Sequence, residues 1–403
     1  MFDSLNPLPA DPILGLMAAH RVDPNPKKID LGVGVYKDEQ GNTPVMRAVK
    51  SAEARLLQNQ ASKTYVSPAG SATFNALVAS LVLGDTLCQT LGERRVTFQT
   101  PGGCGGLRLA AEFIQKVKPG SKILVSDPTW ANHIPLLGEA GLQIETYPYY
   151  DYQNHGIRFD DMMARISKAG PGDLVLLHGC CHNPCGADLD HAQWQAVAAL
   201  AQKNGFTPFI DLAYQGLGDG LEQDGYGVRL LAETLPELIV VSSCSKNFGL
   251  YRERTGALTV IADSARAVQA AASQIASTAR GMYSMPPDHG ASVVAEILAD
   301  SELNREWERE LTEVRQRINN LRSALVVELN KQGIDRDFGF IEQEKGMFSF
   351  LGLSVDQVQT LIHQYSIYLV DSSRINIAGI NSSNIEYLAR SIAATLKSGQ
   401  PAS

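Results

Sequence analysis

Short apolar runs alternate with longer amphipathic segments between about residue 100 and residue 262 of this chain. The apolar runs show no polar alternation, which predicts strands that are buried on both faces. Those runs cover residues 122–126, 174–178, 208–211, 239–243 and 257–261. Helical spacing marks other segments of this region, as at 107–114 and 193–202. Because helices would join these strands, we predict an α/β fold with a mainly parallel sheet covered by helices.

The composition changes after Pro286 and Pro287, where a long charged helix is expected at 302–328. Short strand-like pieces follow near 347–351 and 374–378, so the carboxyl-terminal part predicts a second, smaller domain. Prolines at positions 7, 9, 12, 24 and 26 favour an extended amino-terminal arm. We therefore expect an arm with part of the small domain at 1–45, a large domain at 46–312 and a small carboxyl-terminal domain at 313–403.

The composition also narrows the class of protein. A chain of 403 residues with 44% hydrophobic and 19% charged residues is long enough for two globular domains. Its net charge of -8 and the lack of a basic run argue against a nucleic-acid partner. No apolar run reaches the ~18 residues that span a bilayer, and the first residues lack the pattern of a signal peptide. We expect no membrane partner and a cytoplasmic location.

The six cysteines are too few for a disulfide scaffold in a chain of this length, so we expect free thiols. One cluster contains every side chain that zinc prefers: His178, Cys180, Cys181, His182 and Cys185. Adjacent cysteines at the end of a strand point in opposite directions, however, and no second pair lies at a zinc-finger spacing. We therefore expect no metal site.

Lys246 follows the apolar run 238–241 and lies among small hydroxyl residues. An ammonium group prefers water, so a lysine in a partly dry pocket becomes a usable nucleophile or base near neutral pH. The alternative is a lysine at a strand end that reaches solvent. This segment alone leaves both interpretations open.

The glycine-rich run 101–106 precedes a helix that we expect to begin near Leu107. Backbone N–H groups and the positive end of a helix could converge there on a phosphate, although a flexible turn is the alternative. Arg254, Ser243 and Ser245 add donors that suit phosphate oxygens. Together these groups suggest a phosphorylated cofactor beside a reactive lysine.

Three polar side chains follow predicted strands and are expected at one edge of the sheet, where open parallel sheets bind ligands. Asp211 closes its strand, and Tyr214 follows three residues later. A buried aspartate would keep a ring nitrogen protonated, which makes a pyridine ring a better acceptor of electrons. Tyr214, and Asn183 from a turn after another strand, could donate hydrogen bonds to a ring oxygen. Helix capping, core packing and turn chemistry are the respective alternatives.

At this point the chain resembles the class I pyridoxal-phosphate-dependent aminotransferases, in the branch that acts on aspartate and aromatic amino acids. The resemblance runs over nearly the whole chain, and the motifs that carry it lie at 10–14, 31–38, 178–184, 211–216 and 245–251. It implies the fold type I architecture, with a seven-stranded, mainly parallel sheet between helices and a smaller α+β domain. It also assigns cofactor binding to the large domain and implies a homodimer with shared active sites.

The resemblance further implies a role for each site residue. Lys246 would bind pyridoxal 5'-phosphate covalently, Asp211 would pair with the ring nitrogen, and His178 would support Asp211. Tyr214 and Asn183 would face the ring oxygen, and Trp130 would stack on the ring. The phosphate would be held by Gly102, Gly103, Cys104, Ser243, Ser245 and Arg254, with Tyr65 from the partner subunit. The substrate would be held by Arg374 at its α-carboxylate, by Gly34, Trp130 and Asn183, and by Arg280 from the partner subunit.

The implied reaction transfers the amino group of aspartate to 2-oxoglutarate with ping-pong kinetics. Val35, Lys37 and Thr43 resemble the aspartate branch, and aromatic substrates stay open because Cys104 and Met285 match neither branch. Cys185 and Cys244 also depart from the family pattern. A thiol donates hydrogen bonds poorly, so Cys104 predicts weaker retention of the cofactor. A lyase or decarboxylase on the same scaffold and an inactive binding protein are the alternatives.

Overall fold

The computed structural model describes residues 2, 5–6 and 12–398. The sixteen α-helices of that part of the chain are α1 Pro12–Val22, α2 Arg47–Asn59, α3 Ala72–Leu83, α4 Asp85–Leu91, α5 Gly102–Val117, α6 His133–Gly138, α7 Phe159–Ile166, α8 His191–Asn204, α9 Leu221–Asp224, α10 Tyr226–Thr234, α11 Ala265–Tyr283, α12 Asp288–Ala299, α13 Ser301–Asn330, α14 Phe340–Gln343, α15 Val355–Tyr365 and α16 Ile385–Ser398. Its strands are β1 Ile29–Asp30, β2 Arg95–Pro101, β3 Lys122–Asp127, β4 Gln143–Pro148, β5 Tyr150–Asp151, β6 Gly156–Ile157, β7 Leu174–His178, β8 Thr207–Leu212, β9 Leu238–Ser243, β10 Thr255–Ile261, β11 Phe348–Phe350, β12 Ile367–Tyr368 and β13 Arg374–Asn376.

The chain forms two compact units. The larger unit is Pro44–Gln316, and the smaller unit combines the residues up to Thr43 with those from Arg317 onward. The larger unit contains a seven-stranded sheet in the order β2-β10-β9-β8-β7-β3-β4. Only β10 runs antiparallel to its neighbours. The predicted α/β fold with a mainly parallel sheet is thereby confirmed, and β2 and β4 add two strands to the five read from the apolar runs.

The burial of the strands explains their apolar sequences. Every residue of β9 and β10 is buried, and only one end of β7 and of β8 is partly exposed. Helix α5 packs against β9 and β10 and contributes Leu107, Leu109 and Phe113 to the core beside the sheet. A strand covered on both faces has no solvent side, so polar alternation is absent from its sequence.

The smaller unit is α+β. Strand β1 pairs parallel with β12, and β11 pairs antiparallel with β13. Arg322 is buried within this unit and donates to the carbonyl oxygens of Ile341, Gly346 and Phe348 at 2.7–2.8 Å. A guanidinium group has five N–H donors, which allows one side chain to satisfy buried carbonyls of α14, of the loop that follows it and of β11.

Two expectations about local structure were wrong. Part of the arm expected to be extended, from Pro12 to Val22, is helix α1; proline is compatible with the first helical position, because it lacks only an N–H that the helix would leave unpaired. Residues 7–11 lie outside the described part. Helix α5 begins at Gly102 and not near Leu107, so the glycine-rich run forms its first turn. No single helix of the described residues is long and apolar enough to cross a membrane; only the pair 72–83 and 85–94, bent by 110°, passes that test.

Candidate active site

Parallel strands bring the predicted site residues of the larger unit to one edge of the sheet. His178 on β7 lies beside Asp211 on β8 in the register of the two strands. Strand β9 ends at Ser243, three residues before Lys246. Strand β8 continues one residue past Asp211 to Leu212, so Asp211 does not close it. This edge is where open α/β sheets place their ligands.

Lys246 is partly buried, and its Nζ lies 4.6 Å from the centre of the Tyr214 ring. The loss of water lowers the pKa of Lys246; the charge of Asp211 opposes this shift, and that of Arg254 adds to it. The next residues are fixed from helix α13, where the buried Trp307 donates its indole N–H to the carbonyl of Asn247 at 2.8 Å. An amine whose pKa is lowered in this way carries more of the neutral, nucleophilic form near pH 7.

Asp211 is buried and accepts a hydrogen bond from Nε2 of His133 at 3.0 Å. Burial alone would raise the pKa of Asp211, but the hydrogen bond and charge of His133 outweigh it and the pKa is lowered. Nδ1 of His133 lies 2.8 Å from the hydroxyl of Thr129, so both ring nitrogens are engaged. The site therefore keeps a buried carboxylate ionised, which suits pairing with a protonated ring nitrogen.

His133 takes the supporting role that the sequence had suggested for His178. The ring nitrogens of His178 have no hydrogen-bond partner among the described residues, and its ring centre lies 5.3 Å from that of His133. Burial, reinforced by the charge of His133, lowers the pKa of His178 to about 3, so the ring is neutral. Sequence reasoning missed His133, although its spacing of four residues from Thr129, just after β3, was a usable signal.

The first turn of α5 forms a cradle with Ser243 and Arg254. A Cβ atom on Gly102 would lie 2.6 Å from Nη2 of Arg254, and one on Gly103 would lie 3.1 Å from the Cβ of Ser243. Gly102 also has a φ of 70°, a left-handed conformation that favours glycine. The backbone N–H groups at this helix end, the guanidinium group and the hydroxyl group fit a phosphate.

Two further predicted residues lie near this cradle in the larger unit. Ser245 is buried and donates its backbone N–H to the hydroxyl of Ser243 at 3.2 Å. Cys104 is half-buried, with its Sγ 3.6 Å from Nδ2 of Asn132. Burial raises the pKa of Cys104, while the charge of Arg254 and the Asn132 contact oppose that shift. The neutral thiol is a weak donor in a position that the resemblance assigns to phosphate binding.

Asn183 and Tyr214 are both buried, in turns that follow β7 and β8. Trp130 is half-buried, and its ring meets the edge of the His133 ring at 5.2 Å.

His182 lies between Ser126 and Cys185, with its ring nitrogens 3.0 Å and 3.1 Å from Oγ and Sγ. The cysteines near Asn183 are thus part of the packing around this turn, and none of the six cysteines, all within the described residues, forms a disulfide.

The five side chains considered for a zinc site do not converge on one point but belong to separate clusters. Donor atoms of Cys180 and Cys181 lie close to Asp224, whereas those of His178 lie close to His133 and Asp211.

Arg374 and Gly34 both approach the ring of Phe348 within the smaller unit. Arg374 donates from Nη2 to the carbonyl of Gly32 at 2.6 Å, and its guanidinium group lies 4.3 Å from the centre of the Phe348 ring. Asn376 donates to the carbonyls of Val33 and Val35, both at 2.7 Å. A Cβ atom on Gly34 would lie 2.9 Å from the Phe348 ring, so the segment approaches that ring because it has no side chain. Arg374 is held in one position, as a carboxylate-binding fork requires.

Tyr65 and Arg280 are not brought to the other site residues within the chain. Tyr65 is 88% exposed, and Arg280 is exposed near the end of α11. Arg280 makes no ion pair with any described residue. An exposed tyrosine and an exposed free arginine are chemically suited to contact something outside the chain.

Comparison with known proteins gives the family. The model of the family "Aminotransferase class I and II" matches residues 26–392. The chain is a class I and II aminotransferase. It is 47% identical to the aspartate aminotransferase of Salmonella typhi over 98% of this chain and 100% of that protein. It is 48% identical to the aromatic-amino-acid aminotransferase of Pseudomonas aeruginosa over 96% of both proteins.

The structure of this aminotransferase also matches solved ones. The crystal structure of the aromatic-amino-acid aminotransferase of Burkholderia pseudomallei, covalently bound to pyridoxal phosphate, superposes with a TM-score of 0.96. That protein is 42% identical, and the match covers 98% of this chain and 99% of the other. The fold type expected from the sequence is confirmed.

Proposed function

We propose that this aminotransferase uses pyridoxal 5'-phosphate to transfer the amino group of aspartate, and of aromatic amino acids, to 2-oxoglutarate. The observation that carries the proposal is Lys246, a partly buried amine of lowered pKa beside Tyr214 and near the charge of Asp211. When bound, pyridoxal phosphate supplies an aldehyde that bonds to amines and a ring that accepts electrons from the substrate's α-carbon. The relatives named for aspartate and for aromatic amino acids support both substrate classes.

The residues of the larger unit would hold the cofactor. Gly102, Gly103 and Arg254 would bind its phosphate at the positive end of α5, with Cys104, Ser243 and Ser245 beside them. Asp211, kept ionised by His133, would pair with the ring nitrogen. Asn183 and Tyr214 would donate hydrogen bonds to the ring oxygen, and Trp130 would cover the ring. This assignment gives every polar atom of the cofactor a partner of matching chemistry.

Lys246 would have two successive roles. Its amine would first hold the cofactor, and it would become a free amine when a substrate amine takes its place. The freed amine would take a proton from the α-carbon of the substrate and deliver it to the cofactor. The same residue would move the proton in the reverse direction for the second oxo acid, which predicts ping-pong kinetics with the first product released before the second substrate binds.

Arg374 would bind the α-carboxylate of every substrate through its rigid fork, with Gly34 lining the same region. Arg280 and Tyr65 would come from the partner subunit of a homodimer, and their exposure in the single chain supports this. An unpaired Arg280 fits the side-chain carboxylate of aspartate. Cytoplasmic location stays a prediction of the sequence.

The test is a spectroscopic titration of the purified protein with pyridoxal phosphate. Binding at Lys246 should give a visible band that aspartate bleaches, and borohydride followed by peptide mapping should locate the label at Lys246. Tyrosine, phenylalanine and glutamate in parallel would rank the substrates. An oxo acid formed without ammonia or carbon dioxide distinguishes transamination from a lyase or decarboxylase reaction. Failure to bind the cofactor, or a label at another lysine, would contradict the proposal.

A further inference from the structure

A partly buried carboxylate holds the turn that carries Asn183. This turn, the Asn183 turn, comprises residues 181–186, and Asp188 follows it. Oδ2 of Asp188 accepts the backbone N–H of Cys181 at 2.6 Å, and Oδ1 accepts that of His182 at 2.8 Å. Cys181 has a φ of 50°, which is uncommon for a residue with a side chain and directs successive N–H groups toward one acceptor.

A second carboxylate, which is buried, holds the turn that carries Tyr214. This turn, the Tyr214 turn, comprises residues 213–219. Oδ2 of Asp224 accepts the backbone N–H groups of Gly216 and Gly218 at 2.8 Å and 2.9 Å, and Oδ1 accepts that of Asp219 at 2.8 Å. A Cβ atom on Gly218 would lie 2.7 Å from Oδ1, so the close approach depends on glycine there. Neither turn is fixed by a helix or strand of its own.

Both carboxylates occupy surroundings that disfavour their charge. Burial raises the pKa of Asp188 to about 6; its two backbone hydrogen bonds oppose this, and the charges of Asp224 and Asp219 add to it. Burial also raises the pKa of Asp224, against three backbone hydrogen bonds. No ion pair to a lysine or arginine compensates either group among the described residues. A buried acid without a cationic partner is unfavourable, and here its evident contacts are backbone N–H groups of the two turns.

We propose that Asp188 and Asp224 are positioning residues that hold the Asn183 turn and the Tyr214 turn, and thereby set the hydrogen bonds that Asn183 and Tyr214 donate to the ring oxygen of the cofactor. The inference rests on the proposed function. Neither aspartate touches the cofactor in this arrangement; each acts through the backbone of one turn. Because the two turns follow neighbouring strands, β7 and β8, the two carboxylates fix two donors for one acceptor.

The consequence for the cofactor follows from hydrogen-bond chemistry. Donors to the ring oxygen stabilise its anionic form and lower its affinity for a proton. If a turn shifts, the donated hydrogen bond lengthens or loses alignment, and the oxygen becomes more basic. The pH at which the visible band of the bound cofactor changes colour should therefore rise. An effect confined to folding would change thermal stability without moving this midpoint.

The experiment compares the holoenzyme with the variants Asp188→Asn and Asp224→Asn. Asparagine has nearly the same shape, but its NH2 group would face a backbone N–H that needs an acceptor. We expect the midpoint of the spectral titration to rise by about half to one pH unit in each variant, where one unit is a tenfold change in the proton-binding constant. Matched controls are Asp190→Asn, which removes the same charge at the start of α8, and Glu222→Gln, which removes an exposed charge on α9, the helix that carries Asp224.

An unchanged midpoint in both aspartate variants would overturn the inference, and so would an equal rise in the two controls. Where an asparagine variant does not fold, the glutamate variant replaces it, because glutamate keeps the charge but misplaces the acceptor by one methylene group. Loss of folding in all four variants would assign both carboxylates to the fold alone and would also overturn the inference. A parent protein without a visible band would instead refute the proposed function, so the two failures are distinguishable.

Discussion

Trp307 offers a test of how the Lys246 loop is fixed. The indole ring is fully buried and stacks on Phe248 at 4.3 Å, with the two rings 5° from parallel. Its N–H donates to the carbonyl of Asn247, the residue next to Lys246. Replacing Trp307 with phenylalanine keeps an aromatic ring but removes the donor. Replacing it with leucine removes both the donor and the stacking.

The magnitudes follow from these contacts. Trp307→Phe leaves the Asn247 carbonyl unsatisfied in a buried position, which costs about 1 to 3 kcal/mol of the free energy of unfolding. Trp307→Leu adds the loss of packed volume and aromatic contact, and we expect a total of ~2 to 4 kcal/mol, below the 3 to 5 kcal/mol typical of Trp→Ala. A shifted Asn247 would also move Lys246, so the dissociation constant of pyridoxal phosphate should rise in both variants.

Denaturant unfolding of the apoprotein and a visible titration with pyridoxal phosphate measure the two effects separately. Trp194→Phe is the matched control, because Trp194 is also buried but packs on Gly227, away from the residues that adjoin Lys246. The control should lose stability and retain its cofactor affinity. The reasoning would be refuted if Trp307→Phe unfolded like the parent protein, or if Trp194→Phe weakened cofactor binding as much.

Three further predictions concern other parts of the molecule. Cys104→Thr should tighten binding of pyridoxal phosphate by about 1 to 3 kcal/mol, because a hydroxyl group donates better than a thiol; equilibrium dialysis that shows equal affinity would contradict this. Arg374→Lys should raise KM for every amino acid roughly 10- to 100-fold and leave the cofactor band unchanged, since an ammonium point charge replaces a bidentate guanidinium group. The pKa of Asp188 is raised from 3.8 to about 6, so the folded state binds this proton more tightly than the unfolded state does. Its contribution to stability is complete below pH 3.8 and is lost as the pH rises through about 6; unfolding measured against pH should show that Asp188→Asn lacks this loss.

The sequence predicted most of the sheet because the central strands are buried on both faces, and the sequence of such a strand is a continuous apolar run. Strand β4 escaped notice because Gln143, Glu145 and Thr146 interrupt its apolar residues and partly face outward. The start of α5 was misplaced because glycine is a poor helix former, and only its position at the end of β2 makes a glycine turn helical here. Tertiary contacts decided both cases, and a local pattern does not contain them.

The candidate site divides in the same way. Lys246, Asp211, Tyr214 and Asn183 are found by their position at or just after the ends of apolar strands, since chain order alone places them at one edge of a sheet. The partner of Asp211 is different in kind, because His133 reaches it from α6 across 78 positions of the chain. From the sequence alone, either His133 or His178 could be the hydrogen-bond partner of Asp211. Only the orientation of the two rings assigns the hydrogen bond to His133.

Comparison of the three carboxylates near this sheet edge shows how the hydrogen bond from His133 affects the pKa of Asp211. Asp211, Asp188 and Asp224 all lose water on folding, and burial is the largest influence on each pKa. Backbone N–H groups alone do not reverse it, so the pKa values of Asp188 and Asp224 stay raised. Asp211 differs because its partner is an imidazole ring, which donates a hydrogen bond and can carry positive charge. A histidine in place of a backbone amide is therefore the main reason why the pKa of Asp211 is lowered while those of its neighbours are raised, which is what the proposed pairing with a protonated ring nitrogen requires.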